Sequence, residues 1–273
     1  MRLGIVFRQF GREGGMTSVM HGVMRVISRA SALGATAFIL FVATMTAGAG
    51  AYERKDCEQE NKATLALRAC SQLLDIGDLD QATRARYYRR RGDAWLHEDE
   101  PKEAASDFSH ALDIEPGNVT ALKGRARANT LLGKHAAAVA DWSAILVKAE
   151  DDTAKEQAYL SRAESELAAG KPDAALADYA VILESNPNSV KAHIGRAKVY
   201  GSLNDRDKAL EALDDALKID PQSIAAYFAR GQMAESWGDT RMAIDNYLTA
   251  WKLNPRGAWE ARKGLRRLGV DFP

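Results

Sequence analysis

The chain has 273 residues, with 37 basic and 37 acidic side chains, 46% hydrophobic and 7% aromatic content. This is the balance of a folded chain long enough for one large domain or two small ones. Zero formal net charge speaks against an electrostatic nucleic-acid binder, and two cysteines exclude a disulfide-dense scaffold or a multi-cysteine zinc site.

The first element in chain order is a leader. Residues 30–52 carry no charge and contain Ala-Phe-Ile-Leu-Phe-Val-Ala at Ala37 to Ala43. Arg25 and Arg29 precede this core, and Ala47-Gly48-Ala49-Gly50-Ala51 follows it. A positive start, a short apolar core and a small-residue site predict a secretory signal peptide over residues 1–51, cut after Ala49 or Ala51. The alternative is a membrane anchor that stays uncut, since the uncharged run is long enough to span. Counted from Met1 the segment exceeds the usual signal length, which makes Met20 or Met24 a candidate start. No Arg-Arg pair precedes the core and no cysteine sits at the cleavage site, which argues against twin-arginine export and against a lipoprotein. The leader holds five arginines and one glutamate, so the chain left after cleavage carries a net charge of −4.

Residues 52–84 read as a partial hairpin that caps the front of the helical region beyond it. Ala66, Ala69, Cys70, Leu73 and Leu74 recur at helical spacing and form one apolar stripe, with Gly77 ending the helix. Export would place Cys57 and Cys70 in an oxidising compartment, where paired cysteines join; cytosolic retention would leave two free thiols. Thirteen residues along one helix span about 20 Å, too far for a disulfide. A bond therefore requires a break, for which Glu60-Asn61 is the natural place, with residues 52–60 folding back along the helix of Ala63 to Ile76.

Residues 85–257 are periodic. Glu115-Pro116, Asn186-Pro187, Asp220-Pro221 and Asn254-Pro255 are spaced by 71, 34 and 34 residues. This divides the chain into units 85–118, 119–152, 156–189, 190–223 and 224–257, with the extra residues in Asp151 to Lys155. Position 8 of each unit is small (Gly92, Ala126, Ala163, Ala197, Gly231), and position 20 is alanine (Ala104, Ala138, Ala175, Ala209, Ala243). Position 24 is large (Phe108, Trp142, Tyr179, Leu213, Tyr247). Gly133, Gly170, Asn204 and Gly238 at position 15 end the first helices, and Pro101 and Pro172 open second helices. No segment reads as a strand. Residues 258–273 supply a capping helix, with Ala258, Ala261, Leu265 and Leu268 facing the last unit, and a short tail.

The period and the phased positions resemble the tetratricopeptide repeat family. The resemblance implies an all-α fold, an α-solenoid of helical hairpins stacked into a right-handed superhelix whose stability comes from neighbour contacts. It also implies that the first helices line a concave groove through positions 2, 5, 6, 9, 12 and 13. In this chain those positions place Arg86, Arg89, Arg90, Lys123, Arg127, Lys191 and Lys198 in the groove, with Asp93 and Glu164 as acids. The asparagine and lysine set of the chaperone-tail carboxylate clamp is missing: Asp93 and Gly124 stand where the clamp has asparagines.

Chemistry is not expected. His97, His110, His135 and His193 show no metal-ligand spacing, and no phosphate loop or nucleophile elbow is present. No catalytic residue, metal or cofactor is assigned. Arg91, Arg125, Arg162, Arg196 and Arg230 recur at position 7, and the predicted partners are Asp107, Asp141, Asp178, Glu211 and Asp245 on the second helices. The expected function is a non-enzymatic scaffold or adaptor that takes a protein partner, an acidic or extended peptide, in its groove, in the cell envelope (periplasmic) or outside the cell. The alternatives are a membrane-anchored assembly factor that keeps its leader and a non-catalytic subunit of an envelope enzyme complex. Nucleic acid is not expected as a partner, and a membrane only if the leader is uncut.

Overall fold

The computed structural model describes residues 54–59, 62–76 and 78–270. The leader over 1–51 with its cleavage sites, the Glu60-Asn61 break, the helix end at Gly77 and the tail over 271–273 lie outside the described residues. A single helical turn over 54–57 leads into α1 (Ala63–Asp75). Five helix pairs come next: α2 (Gln81–His97) with α3 (Pro101–Ile114), α4 (Val119–Leu131) with α5 (His135–Lys148), α6 (Asp152–Ala168) with α7 (Pro172–Ser185), α8 (Val190–Ser202) with α9 (Arg206–Ile219), and α10 (Ile224–Ser236) with α11 (Thr240–Leu253). α12 (Trp259–Arg267) closes the stack, and no strand occurs among the described residues. The fold is the all-α solenoid expected from the sequence.

Backbone chemistry sets the boundaries. Proline disfavours the helical region for the residue before it, and Glu115, Asn186, Asp220 and Asn254, each preceding a proline, leave the helix with ψ of 76, 82, 91 and 85°. Asn118, Asp151 and Ser223 then cap the next helix by accepting from Ala121, Ala154 and Ala226 N–H. Between the helices of a pair, position 15 adopts the left-handed conformation at Gly133, Gly170, Asn204 and Gly238, and also at Asp99 in the first unit, where φ is 60°. The extra residues at 151–155 do not bulge. They lengthen α6 by a turn at its N-terminus, with Asp151 as its cap.

Small residues let the paired helices touch. Ala126, Ala163 and Ala197 at position 8, and all five alanines at position 20, are fully buried. The rings at position 24 then pack between hairpins. A Cβ on Gly92 would meet the Phe108 ring at 3.0 Å, and a Cβ on Gly124 of the next hairpin would collide with the same ring. Gly195 lies under Tyr179 in the same way, and Gly264 of α12 under Tyr247. Gly124 and Gly195 occupy position 6, which the sequence assigned to the groove. In these two units that position is buried beneath an aromatic ring instead.

A second device runs along the stack. Arg91, Arg125 and Arg162 each donate two hydrogen bonds to the carboxylate of their own hairpin, Asp107, Asp141 and Asp178, at 2.6 to 3.1 Å. The remaining Nη1 reaches a hydroxyl of the preceding element: Ser71, Ser109 and Ser143. The hydrogen bond to Asp107 raises the Arg91 pKa, and Asp178 does the same for Arg162. The predicted partners in the last two units are wrong. Arg230 donates to Asn246 (2.7 Å) and to Asp214 of the preceding hairpin (2.9 Å), not to Asp245. Arg196 makes no ion pair with Glu211; the residue one place further on, where Asp178 stands in the third unit, is Ala212. A one-residue shift on a helix rotates a side chain by about 100°, which carries Glu211 and Asp245 away from the arginines.

The ends are tied down. α12 buries Ala261, Gly264 and Leu265, and Glu235 of α10 accepts from Arg267 and from the Tyr247 hydroxyl. At the front the predicted stripe of Ala66, Ala69, Cys70, Leu73 and Leu74 is buried, with Cys57 and Tyr87 in the same cluster. Cys57 and Cys70 are at disulfide distance, with sulfurs 2.06 Å and Cα atoms 4.9 Å apart.

Candidate functional site

A partly enclosed concavity lies at the front of the inner face, where the 54–59 turn, α1, α2 and α4 meet. Its walls include Cys57, Gln59, Ala66, Arg90, Asp93 and Arg127, and its volume is about 180 Å³. That is room for one side chain or a few waters, less than the roughly 300–1,000 Å³ of a small-molecule pocket. α2 supplies Arg86, Arg89, Arg90 and Asp93 from successive turns of one helix, and α4 supplies Lys123 and Arg127.

Cations gather around Asp93. Asp93 is half-buried, and desolvation raises its pKa although Arg90, Arg127, Arg89 and His97 all pull it down. Arg89 Nε is buried with no hydrogen-bond partner among the described residues. Arg86 lies 3.5 Å from Glu58, an exposed pair, with its guanidinium over the Tyr87 ring.

The seven predicted groove cations do not form one site. Arg90 and Arg127 meet at the front cavity, with Arg89 close enough to act on Asp93. Lys123 is half-buried on α4 outside the cavity walls. Lys191 and Lys198 are exposed on α8, in the fourth hairpin. Lys198 borders a separate, shallower depression over Ala229 and Met233. No group of three metal-ligating side chains occurs among the described residues, nor any helix long and apolar enough to cross a membrane.

Residues 132–190 and 166–232 each match the tetratricopeptide repeat family. The chain contains tetratricopeptide repeats. Solved tetratricopeptide structures share its fold. A thermophilic tetratricopeptide protein of Thermus thermophilus is 22% identical over 68% of this chain and 100% of its own, with a TM-score of 0.54. A tetratricopeptide repeat protein of Parabacteroides merdae is 16% identical over 76% of this chain and 92% of its own, with a TM-score of 0.53. MamA of Desulfovibrio magneticus is 19% identical over 65% of this chain and 99% of its own, with a TM-score of 0.51. At these identities the likeness is one of fold. No curated protein sequence matches the chain.

Tetratricopeptide proteins are generally non-catalytic scaffolds that bind protein or peptide partners, and the scaffold fold is present here. Within this tetratricopeptide array, Gly124 stands where a clamp asparagine would because its position carries the Phe108 ring. Two features went unread in the sequence. The serines at position 25, Ser109 and Ser143, are visible as a recurrence, but only the structure shows that each receives an arginine from the next hairpin. The closure of the front cavity by Cys57 and Gln59 has no sequence signal, because it depends on how the 54–59 turn packs on α1.

Proposed function

We propose that this protein is an exported, non-enzymatic scaffold that receives an acidic or extended segment of a protein partner along the inner face of its stack, with an acidic side chain seated at the front cavity. The observation that carries the reading is the cluster of Arg89, Arg90 and Arg127 around the half-buried carboxylate of Asp93. Guanidinium groups that converge on one cavity suit an incoming carboxylate, with which arginine forms two parallel hydrogen bonds. The cavity volume matches a side chain of a peptide better than a cofactor. Export is supported by the charge pattern of the leader and by the Cys57–Cys70 pair, since disulfides persist in oxidising compartments.

The test is capture of partners from an envelope extract by the protein and by a variant with Arg86, Arg89, Arg90 and Arg127 all changed to Glu. Exposed charge pairs contribute about 0.2–1 kcal/mol each, so the four are changed together. Loss of a captured partner with unchanged helical circular dichroism supports the reading. Retention of the same partners at low salt overturns it.

A further inference from the structure

We propose that the outer groove between the third and fourth hairpins is a second binding site, in which Arg196 takes the carboxylate of an aspartate or glutamate from a partner protein. The site is distinct from the inner face.

The argument starts from the arginine ladder. Four of its five members are satisfied by the fold: Arg91, Arg125 and Arg162 by an aspartate and a serine, Arg230 by Asn246 and Asp214. At Arg196 both partners are gone. Ala212 stands at the place of Asp107, Asp141, Asp178 and Asn246, and Ala180 stands at the place of Ser109, Ser143 and Asp214. Arg196 makes no hydrogen bond or ion pair with any described residue; its contact is with the Tyr200 ring, 5.9 Å from the guanidinium carbon. Glu184 lines the same groove without forming an ion pair with it.

The surroundings favour a ligand. Arg196 opens into a depression of about 550 Å³ walled by Leu176, Ala177, Ala180, Leu183 and Tyr200. The matching depression between the first and second hairpins is walled by Ser109, Arg125 and Asp141 among others, so its carboxylate comes from the chain itself. Tyr200 also carries Lys208 Nζ 5.5 Å from its ring, with that ammonium paired to Asp205 at 2.7 Å. A guanidinium fork held against an aromatic face, in a half-buried and largely apolar slot with Glu184 at its rim, selects a planar carboxylate flanked by an aliphatic side chain. The chain shows which anion this geometry fits, because three sister arginines hold aspartate in it.

Nuclear magnetic resonance of the full chain labelled with 15N-arginine tests the site. The probe is the peptide amide acetyl-Ala-Leu-Asp-Leu-Ala. The Arg196 Nε–Hε signal, assigned by its loss in Arg196→Lys, is expected to shift saturably with the probe. The same peptide with Asn in place of Asp should bind at least tenfold more weakly. Ala212→Asp, which restores the missing carboxylate within the ladder, should raise Tm and weaken peptide binding at least tenfold. Arg196→Gln should abolish binding and leave Tm unchanged, which keeps the proposal testable if Ala212→Asp does not fold. The fourfold inner-face variant should still bind, which separates this site from the front cavity. Equal binding of the Asn peptide, undiminished binding by a folded Ala212→Asp variant, or no shift at millimolar probe overturns the proposal. So does inorganic phosphate acting at tenfold lower concentration than the peptide.

Discussion

Arg162 and Asp178 close the third hairpin with two hydrogen bonds, Nε to Oδ2 at 2.8 Å and Nη2 to Oδ1 at 2.6 Å, while Nη1 of the same guanidinium reaches back to Ser143 at 3.1 Å. One side chain thus joins the helices within a hairpin and joins that hairpin to its neighbour. Glu166 stands one turn along α6, 3.9 Å from Arg162, and burial together with the negative charge of Asp178 raises its pKa. In the first hairpin Arg91 pairs with Asp107 alone among the described carboxylates.

The two pairs should therefore respond differently. Asp107→Ala leaves Arg91 half-buried without a carboxylate and should cost about 2–3 kcal/mol. Asp178→Ala lets Glu166 take over Arg162 and should cost about 1 kcal/mol. Urea midpoints of the two variants check this, and equal losses would remove Glu166 from the account.

Packing at the glycines under the rings is the second prediction. Gly124→Ala and Gly195→Ala push a methyl group into the Phe108 and Tyr179 rings. Each should lower stability by about 1–3 kcal/mol even though alanine favours a helix. Ala138→Leu and Ala209→Leu, at fully buried crossings, should cost a similar amount. Gly133→Ala meets nothing within 4 Å, but its φ of +70° should still cost about 1–2 kcal/mol from the backbone. Thermal melts compare the set; unchanged Tm for both ring-facing variants would count against the packing described.

A third prediction concerns pH at the front cavity. The folded-state pKa of Asp93 is raised, with burial as the largest cause. As pH falls through that value Asp93 loses its charge, while the arginines keep theirs, and the cavity becomes more positive. An acidic peptide that still carries its own charge should bind more tightly there as the pH is lowered toward Asp93 titration. Asp93→Asn should bind tightly throughout and flatten the profile. The sign is the same for stability. A carboxylate with a raised pKa favours the folded state most when protonated, so this contribution declines as pH rises through the ordinary carboxylate range. Peptide titrations followed by fluorescence anisotropy from mildly acidic to neutral pH decide it.

The cysteine pair gives the fourth prediction. Cys57 and Cys70 enclose a short loop, and a bond between them stabilises the front by about 3 kcal/mol in the chain-entropy model. Because each element of such a stack contacts only its neighbours, the loss on replacing both with Ser should appear as faster hydrogen exchange in α1 and the start of α2, with α8 to α11 unchanged. The same replacement should weaken ligand binding at the front cavity, whose wall includes Cys57. Labelling of the purified protein under denaturing conditions without reductant should find no free thiol; two per chain would reject the bond and weaken the case for export.

Fold class, hairpin boundaries and helix crossings are legible in the sequence alone, because they are local matters. Proline, glycine and asparagine act on their own backbone, and a 34-residue recurrence of small residues can pack in few ways. The arginines of the ladder and three of their carboxylates are legible too, because both lie within one hairpin at constant separation. The contacts between hairpins are a matter of three-dimensional packing. The serines and Asp214 that receive an arginine from the next unit, the rings seated on Gly124 and Gly195, and the front cavity that joins Arg90, Asp93 and Arg127 to Cys57 all depend on how far one hairpin is rotated against the next. That rotation comes from side-chain volumes meeting across the interface, and a shift of one residue, as between Glu211 and Ala212, is enough to move a charge to another face of its helix.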